Sequence, residues 1–338
     1  SMSKLADFTT LRVGGPAQLL IRAHTEAELI AEIEAADATN EPLLIIGGGS
    51  NILVSDDGFK GTVIKVETSG NSYEIDACSG GMLQVAAGVP WDDFVLFTLE
   101  KGLANLESLS GIPGTVGASP IQNIGAYGHD VSEVIARVRT YDRHTKAIKT
   151  FTAAECGFTY RSSLFKESGD RYVILDVTFH LRRGEESLSI AYPELAAELD
   201  VKIGDRAPIS KVREAVLTLR KRKGMLEGLG IHSAGSFFTN PIVSQDVAAE
   251  LPEEAPRWPQ ADGRVKVSAA WLIERSGSSK GDRIGAAAIS HLHVLALTNS
   301  GEASAAEIVH LAQHVQGKVR EAFGISLEPE VRLIGVTL

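Results

Sequence analysis

Pro42-Leu43-Leu44-Ile45-Ile46-Gly47-Gly48-Gly49-Ser50-Asn51 sets a short apolar run directly against a glycine cluster. The run fits a buried strand. The glycines that follow let backbone N–H groups come close to an anion. A second cluster, Gly111-Ile112-Pro113-Gly114-Thr115-Val116-Gly117-Ala118, continues into Gln122-Asn123-Ile124-Gly125-Ala126-Tyr127-Gly128. Neither familiar nucleotide pattern is met. Counting from Gly47, the third residue is Gly49 but the sixth is Ile52, and no Gly-Lys-Ser/Thr occurs. One cluster alone is equally well a structural turn. Two of them suit an extended pyrophosphate ligand that touches both, with the amides of Asn51 and Asn123 offered to phosphate or ring edges.

Outward from these loops the chain reads as mixed α and β. A capping-box pattern at Thr25 and Glu28 opens a helix to Ala36, with Leu29, Ile30 and Ile33 as its apolar stripe. With the strands at 42–46 and 62–66 it makes a β–α–β unit. Residues 73–87 are β-rich, and Pro90 starts a helix that Gly102 ends. Strands are expected at 134–141, 147–151 and 172–181. A helix over 210–223 ends in Arg220-Lys221-Arg222-Lys223. A short helix is expected over 268–274 and a strand over 294–298. Ser304 and Glu307 cap a long helix to Phe323, followed by Gly324 and by a strand over 330–338.

The 338 residues suit two or three domains. Hydrophobic residues are 44% and charged residues 22%, an ordinary globular balance without low-complexity segments. No apolar run reaches the ~18 residues of a membrane span. No leader is read at the start, and Ser1 ahead of Met2 reads as a cloning remnant. Cys78 and Cys156 lack a partner motif, so neither a disulfide framework nor a metal site is expected, and a cytoplasmic setting fits. A net charge of −10 argues against nucleic acid or an anionic membrane as partner. It leaves room for a local basic pocket and an anionic small ligand.

Five motifs in order carry a resemblance that runs from about residue 5 to about residue 335. They are Thr9-Thr10-Leu11-Arg12-Val13-Gly14-Gly15-Pro16-Ala17 with the Gly47 loop, the Gly111 loop, Tyr160-Arg161-Ser162-Ser163-Leu164-Phe165-Lys166, Ala234-Gly235-Ser236-Phe237-Phe238-Thr239-Asn240-Pro241, and Glu328-Pro329-Glu330-Val331-Arg332. The chain resembles the UDP-N-acetylenolpyruvoylglucosamine reductase family of bacterial cell-wall synthesis. The two glycine loops alone would point only to the wider vanillyl-alcohol-oxidase-like FAD fold. The resemblance implies an α+β protein: two FAD-binding lobes, about 2–70 and 71–210, the first rejoined by a C-terminal strand at 326–338, and a substrate-binding domain over about 211–325.

The resemblance also implies FAD and NADPH as cofactors and a UDP-sugar as substrate. Hydride from reduced flavin reaches the enolpyruvyl double bond, charge develops on the carboxylate, and the adjacent carbon is protonated. Arg161 is the implied charge stabiliser and Glu330 acts on the enol. Strand alternation would set Arg332 on the same face as Glu330, placing a guanidinium beside that carboxyl, whose pKa is expected to be raised or coupled. Ser236 is the implied proton donor. His232 is the rival on general acid–base chemistry but lies outside the matched motif. For the flavin the resemblance carries over Arg12, Gly47, Gly48, Gly49, Ser50, Asn51, Gly111, Gly114, Gly117, Ala118, Gln122, Asn123 and Gly125. For the substrate it carries over Lys223, Asn240, His293, Arg332 and Tyr192 as the clamping tyrosine. Pro193 stands where glycine is usual in that clamp. A monomer is expected. The alternatives are another FAD oxidoreductase of the same fold and a non-catalytic UDP-sugar-binding relative.

Overall fold

Strand Ala17–Ala23 and strand Leu43–Ile46 both lie parallel to Phe59–Val66, which runs between them in a three-stranded sheet of the computed structural model. Residues 2–76 and 78–338 are described. Helix Glu26–Ala38 covers this sheet, burying Leu29, Ile33 and Ala36. Thr25 accepts from the Glu28 N–H, but the returning Glu28 carboxylate takes the His24 N–H at 2.8 Å, one residue before the cap.

A larger antiparallel sheet orders Ala147–Thr152, Ile135–Asp142, Tyr172–Arg183, Gly80–Ala86 and Asn71–Asp76 side by side. Its apolar face and the first helix share one core. Ile33 and Ile64 meet Val85, Phe94, Val177 and Phe179 there. Trp91 and Phe94 both stack on Phe179, at ring separations of 5.9 and 4.9 Å.

A second core gathers Phe237, Phe238, Leu272, Ile273, Ile289, Leu297 and one face of helix Ala305–Phe323. Leu11, Val13 and Leu53 join it from the N-terminal part. The long helix starts at a complete capping box on Ser304 and Glu307 and ends at Gly324 with φ 67°. Asp56 accepts from the Ala305 and Ala306 N–H groups at 2.7 and 3.1 Å, tying the first sheet to the helix start. Helix Ile209–Arg222 packs elsewhere: Val212, Val216 and Leu219 bury against Tyr127, Ile190 and Leu195.

The tail strand is shorter than expected. It covers only Arg332–Ile334, paired parallel to Ile52–Val54, while Glu330 sits before it in a bend. Ser236 lies at the end of strand His232–Ser236 rather than in a loop, opposite Ala296.

Candidate functional site

The two glycine loops close on each other. A Cβ on Gly47 would lie 2.5 Å from Thr115 Oγ1, and one on Gly48 would lie 3.0 Å from Gly114 Cα. Gly49 combines φ 64° with the Phe8 carbonyl, 1.9 Å from where its Cβ would be. No side chain fits at these points. Among the described residues, the N–H groups of Gly48, Gly49 and Ser50 donate to no protein acceptor. The second loop is mixed. Val116 and Gly117 spend their N–H groups on Val89 and Ala87 carbonyls, at 2.9 and 2.8 Å. The first loop thus offers three consecutive free donors, and in the second the N–H groups of Gly114 and Thr115 likewise donate to no protein acceptor among the described residues.

These loops open into a cavity of about 220 Å³ lined by Ser50, Asn51, Gln122, Arg161, Ser236 and Glu330, among others. Ala118 and Gly125 line it too. Residues from five separate motifs, spread from position 10 to position 330, therefore share one wall.

Glu330 is the most constrained of them. Its N–H donates to the Phe237 carbonyl at 2.7 Å. Its carbonyl accepts from Gln122 Nε2 at 2.6 Å and Asn51 Nδ2 at 3.3 Å. Its carboxylate meets Arg161 Nε at 3.0 Å, with only 19% of the glutamate side chain exposed. Burial pushes the carboxyl pKa up, against the opposing pull of Arg161 and Lys166. Arg161 itself has φ 50°, donates from Nη2 to the Gly125 carbonyl at 2.9 Å and stacks on Tyr160. Lys166 donates to the Arg161 carbonyl at 3.2 Å. A Cβ on Gly125 would lie 2.6 Å from Arg161 Nη1, so glycine is what admits the guanidinium there.

The neighbour expected for Glu330 is corrected by this geometry. Because the strand begins only at Arg332, alternation does not apply. Arg332 is exposed and pairs with Asp170 at 2.6 Å, and Arg161 takes the place beside the carboxyl. The amide of Asn123 is corrected as well. It is buried at φ 49°, donating to the Thr159 carbonyl and accepting the Ser132 N–H, so it braces the loop instead of facing a ligand. Asn51 and Gln122 point their amide nitrogens at Glu330. Gln122 Oε1 stays buried without a partner, an acceptor available to a ligand N–H.

The remaining expected residues lie outside this lining. Arg12 is exposed with φ 55°, and Gly111, at φ 76°, gives its N–H to Asp92 at 2.7 Å. Lys223 is held by Glu194 at 2.8 Å and lies over the Tyr127 ring. Tyr127 in turn packs edge-on against Tyr192, 5.8 Å between centroids. His293 accepts the Leu295 N–H on Nδ1 at 3.2 Å. Burial, with Lys223 and Lys280 nearby, pushes its pKa down to about 4. Asn240 Oδ1 takes the Ala269 N–H, and its own N–H donates to the Tyr160 hydroxyl at 3.1 Å, in a neighbouring cavity. His232 does not line the main cavity.

Sequence reasoning passed over Arg220, Trp91, Thr10 and Lys166, which complete the cavity wall or brace it. For Arg220 a signal existed: it lies four residues after the buried Val216, on the inner face of its helix.

The residues present suit a flavin dinucleotide: three free N–H groups on a glycine cradle, an orphaned amide oxygen and a guanidinium on the same cavity. Residues 17–150 match the FAD binding domain family, which makes the chain an FAD-binding protein. Residues 227–334 match the UDP-N-acetylenolpyruvoylglucosamine reductase C-terminal domain. Similar proteins include the UDP-N-acetylenolpyruvoylglucosamine reductase of Cutibacterium acnes, 52% identical over 99% of this chain and 90% of that one. The reductase of the same name from Thermobifida fusca is 48% identical over 99% and 97%. The crystal structure of the Thermus caldophilus reductase matches at a TM-score of 0.69, with 28% identity, covering 99% and 98% of the two chains. The chain belongs to the UDP-N-acetylenolpyruvoylglucosamine reductase family. Among the described residues no helix is long and apolar enough to cross a membrane.

Proposed function

We propose that this chain reduces the enolpyruvyl double bond of UDP-N-acetylglucosamine enolpyruvate to give UDP-N-acetylmuramate, with NADPH as the source of electrons. Bound FAD would supply hydride transfer between the two. Gly48, Gly49 and Ser50 would hold its phosphates and Gln122 would accept from its ring.

The observation that carries the reading is the half-buried Arg161–Glu330 pair on the same cavity as Ser236. Hydride addition to the terminal carbon leaves an enediolate. Arg161 supplies a fixed positive charge where that anion develops, and no reorganisation is needed. A second carboxylate beside it would repel it. Burial favours the protonated form of Glu330, and in that form the group donates a hydrogen bond to the developing oxyanion. Ser236 Oγ is engaged by no hydrogen bond among the described residues, so its proton is available to the carbon next to the carboxylate. Phe237 and Phe238, both buried behind it, keep water away. Lys223, Tyr192, Asn240 and His293 serve the sugar-nucleotide end, and the nicotinamide uses the same cavity in turn. Architecturally, the reading places two FAD-binding lobes before a substrate-binding domain.

The test is turnover with product analysis. NADPH consumption should depend on the enolpyruvyl sugar nucleotide, and the product should carry two more hydrogens than the substrate. NADPH consumption that is indifferent to that substrate would refute the assignment.

A further inference from the structure

His129 sits at a junction that the proposed chemistry does not use. A two-residue turn, Tyr127-Gly128, with φ 54° and 84°, joins the paired strands Gly125–Ala126 and His129–Asp130. The Gly125 carbonyl of this hairpin accepts from Arg161 Nη2 at 2.9 Å. The same hairpin faces the irregular stretch 187–192, which ends at Tyr192. Three contacts join the two. The Tyr127 ring packs edge-on against the Tyr192 ring. Gly128 lies against Ala191, whose Cβ would stand 3.3 Å from a Cβ on the glycine. His129 Nε2 lies 3.2 Å from the Ser189 carbonyl.

The second ring nitrogen, Nδ1, lies 3.1 Å from Glu133 Oε2, and only 15% of the histidine side chain is exposed. A carbonyl and a carboxylate only accept, so both contacts form only when the ring carries a proton on each nitrogen. A neutral ring keeps one and loses the other. The charged groups facing the ring are Glu133, from the turn after it, and Glu107, from the turn Glu107–Leu109. Both are acidic. The Glu133 hydrogen bond raises the His129 pKa above its ordinary 6.5, with burial opposing. Glu107 is fully buried and holds the same stretch at another point, accepting the Leu188 N–H at 2.9 Å and the Asn105 N–H at 2.6 Å. The Ser187 and Ile190 N–H groups donate only to another irregular segment, at the carbonyls of Ala207 and Asp205.

We propose that His129, in its doubly protonated form, is a positioning residue that latches the Ser189 carbonyl and fixes the 187–192 stretch, so that Tyr192 is held in place before a ligand arrives. The proposal rests on the reading of Tyr192 as a substrate contact. It adds to that reading a pH-dependent grip that acts on binding and leaves the chemical step alone.

The test uses the flavin-loaded full chain and three variants. His129→Ala removes the donor, His129→Gln keeps a neutral one, and Glu133→Gln removes the carboxylate that favours the proton. Two quantities are followed from about pH 6 to about pH 9, the range that brackets a raised histidine pKa. One is KM and kcat for the enolpyruvyl sugar nucleotide. The other is the protection of the 187–192 backbone from hydrogen–deuterium exchange without substrate, corrected for the intrinsic rate. In wild type, KM should rise and protection fall as pH passes upward through the His129 pKa. At the acid end His129→Ala should raise KM about 3- to 10-fold, the effect of one lost hydrogen bond, lower the protection and leave kcat within about twofold. His129→Gln should recover most of the KM and abolish its pH dependence. Glu133→Gln should move the rise in KM to lower pH. A histidine that only supports the fold would lower kcat and thermal stability alike at every pH, with no movement in Glu133→Gln. The proposal is overturned if His129→Ala leaves both KM and protection within about twofold of wild type, or if the wild-type pH profile of KM survives in His129→Gln. If the alanine variant does not fold, His129→Gln and Glu133→Gln decide by the same pH criteria. Protection that falls in His129→Ala while wild type fails to turn over the sugar nucleotide refutes the functional reading and leaves the latch standing.

Discussion

Glu330 meets Arg161 at 3.0 Å while its own backbone carbonyl is gripped by Gln122 at 2.6 Å and by Asn51 at 3.3 Å. Side chains of the two glycine-loop segments thereby position the carboxyl that the proposed chemistry uses.

The pH dependence follows from the raised Glu330 pKa. A carboxyl held above its ordinary value is protonated below that value and loses its proton as pH rises through the shifted one. Turnover that needs the protonated form therefore falls on the alkaline side. Glu330→Gln keeps a neutral donor, so it should retain part of the activity and lose that alkaline limb. Glu330→Ala should lose about 10²- to 10³-fold in kcat at all pH values. An unchanged pH profile in Glu330→Gln would remove the protonated carboxyl from the mechanism.

Ser236→Ala separates the two halves of the reaction. Flavin reduction by NADPH should proceed at the wild-type rate. Reoxidation by the enolpyruvyl substrate should slow by about 10²- to 10³-fold. Rapid-mixing spectroscopy reads both rates, and equal slowing of both would deny Ser236 its role as proton donor.

Lys223 is occupied by Glu194 in the free chain, at 2.8 Å, with a quarter of the lysine and 40% of the glutamate side chain exposed. In the proposed role of Lys223, a substrate phosphate would have to displace that carboxylate. Glu194→Gln should tighten UDP binding by up to about fivefold, the range of a solvent-screened pair of about 1 kcal/mol. Lys223→Ala should weaken it. Weaker UDP binding in Glu194→Gln would show that the glutamate helps the ligand.

Glycines at the cradle and elsewhere should behave oppositely. Gly49→Ala forces a Cβ to within 1.9 Å of the Phe8 carbonyl and should abolish flavin binding or folding. Gly317 lies in helix Ala305–Phe323, with open space where its Cβ would be. Gly317→Ala should add about 1 kcal/mol of stability in denaturant titration and leave flavin content unchanged.

His293 should make the fold acid-sensitive. Its pKa falls from the ordinary 6.5 to about 4. Between those values the unfolded chain takes up a proton that the folded chain refuses, so stability drops as pH falls, by at most about 1.4 kcal/mol per pH unit. His293→Asn should flatten that limb of the stability curve. A curve of unchanged slope would mean that His293 titrates normally.

Local signals made much of the fold legible. Caps at Thr25, Ser268 and Ser304 begin helices where the sequence places them, and the apolar run before Gly47 is a strand. The tail was harder to read. Alternating residues over 330–338 look like one strand, but only Arg332–Ile334 finds a partner, in Ile52–Val54. That pairing is a long-range event with no local mark. The same reason hid the partner of Glu330. Arg161 reaches it because Tyr160–Ser162 is a tight turn with φ 50° at Arg161, which spacing along the chain does not encode. Asn123 shows the reverse error. An amide in a glycine loop suggests a ligand, yet here it satisfies the backbone of Thr159 and Ser132.

The most direct test of the central claim is an anaerobic visible spectrum of the purified protein, taken after NADPH and again after UDP-N-acetylglucosamine enolpyruvate. The account predicts that the flavin band bleaches with NADPH and returns only when the sugar nucleotide is added. A band that returns only with oxygen would contradict it and mark an oxidase. The absence of any flavin band, even after FAD is supplied, would contradict it at the first step.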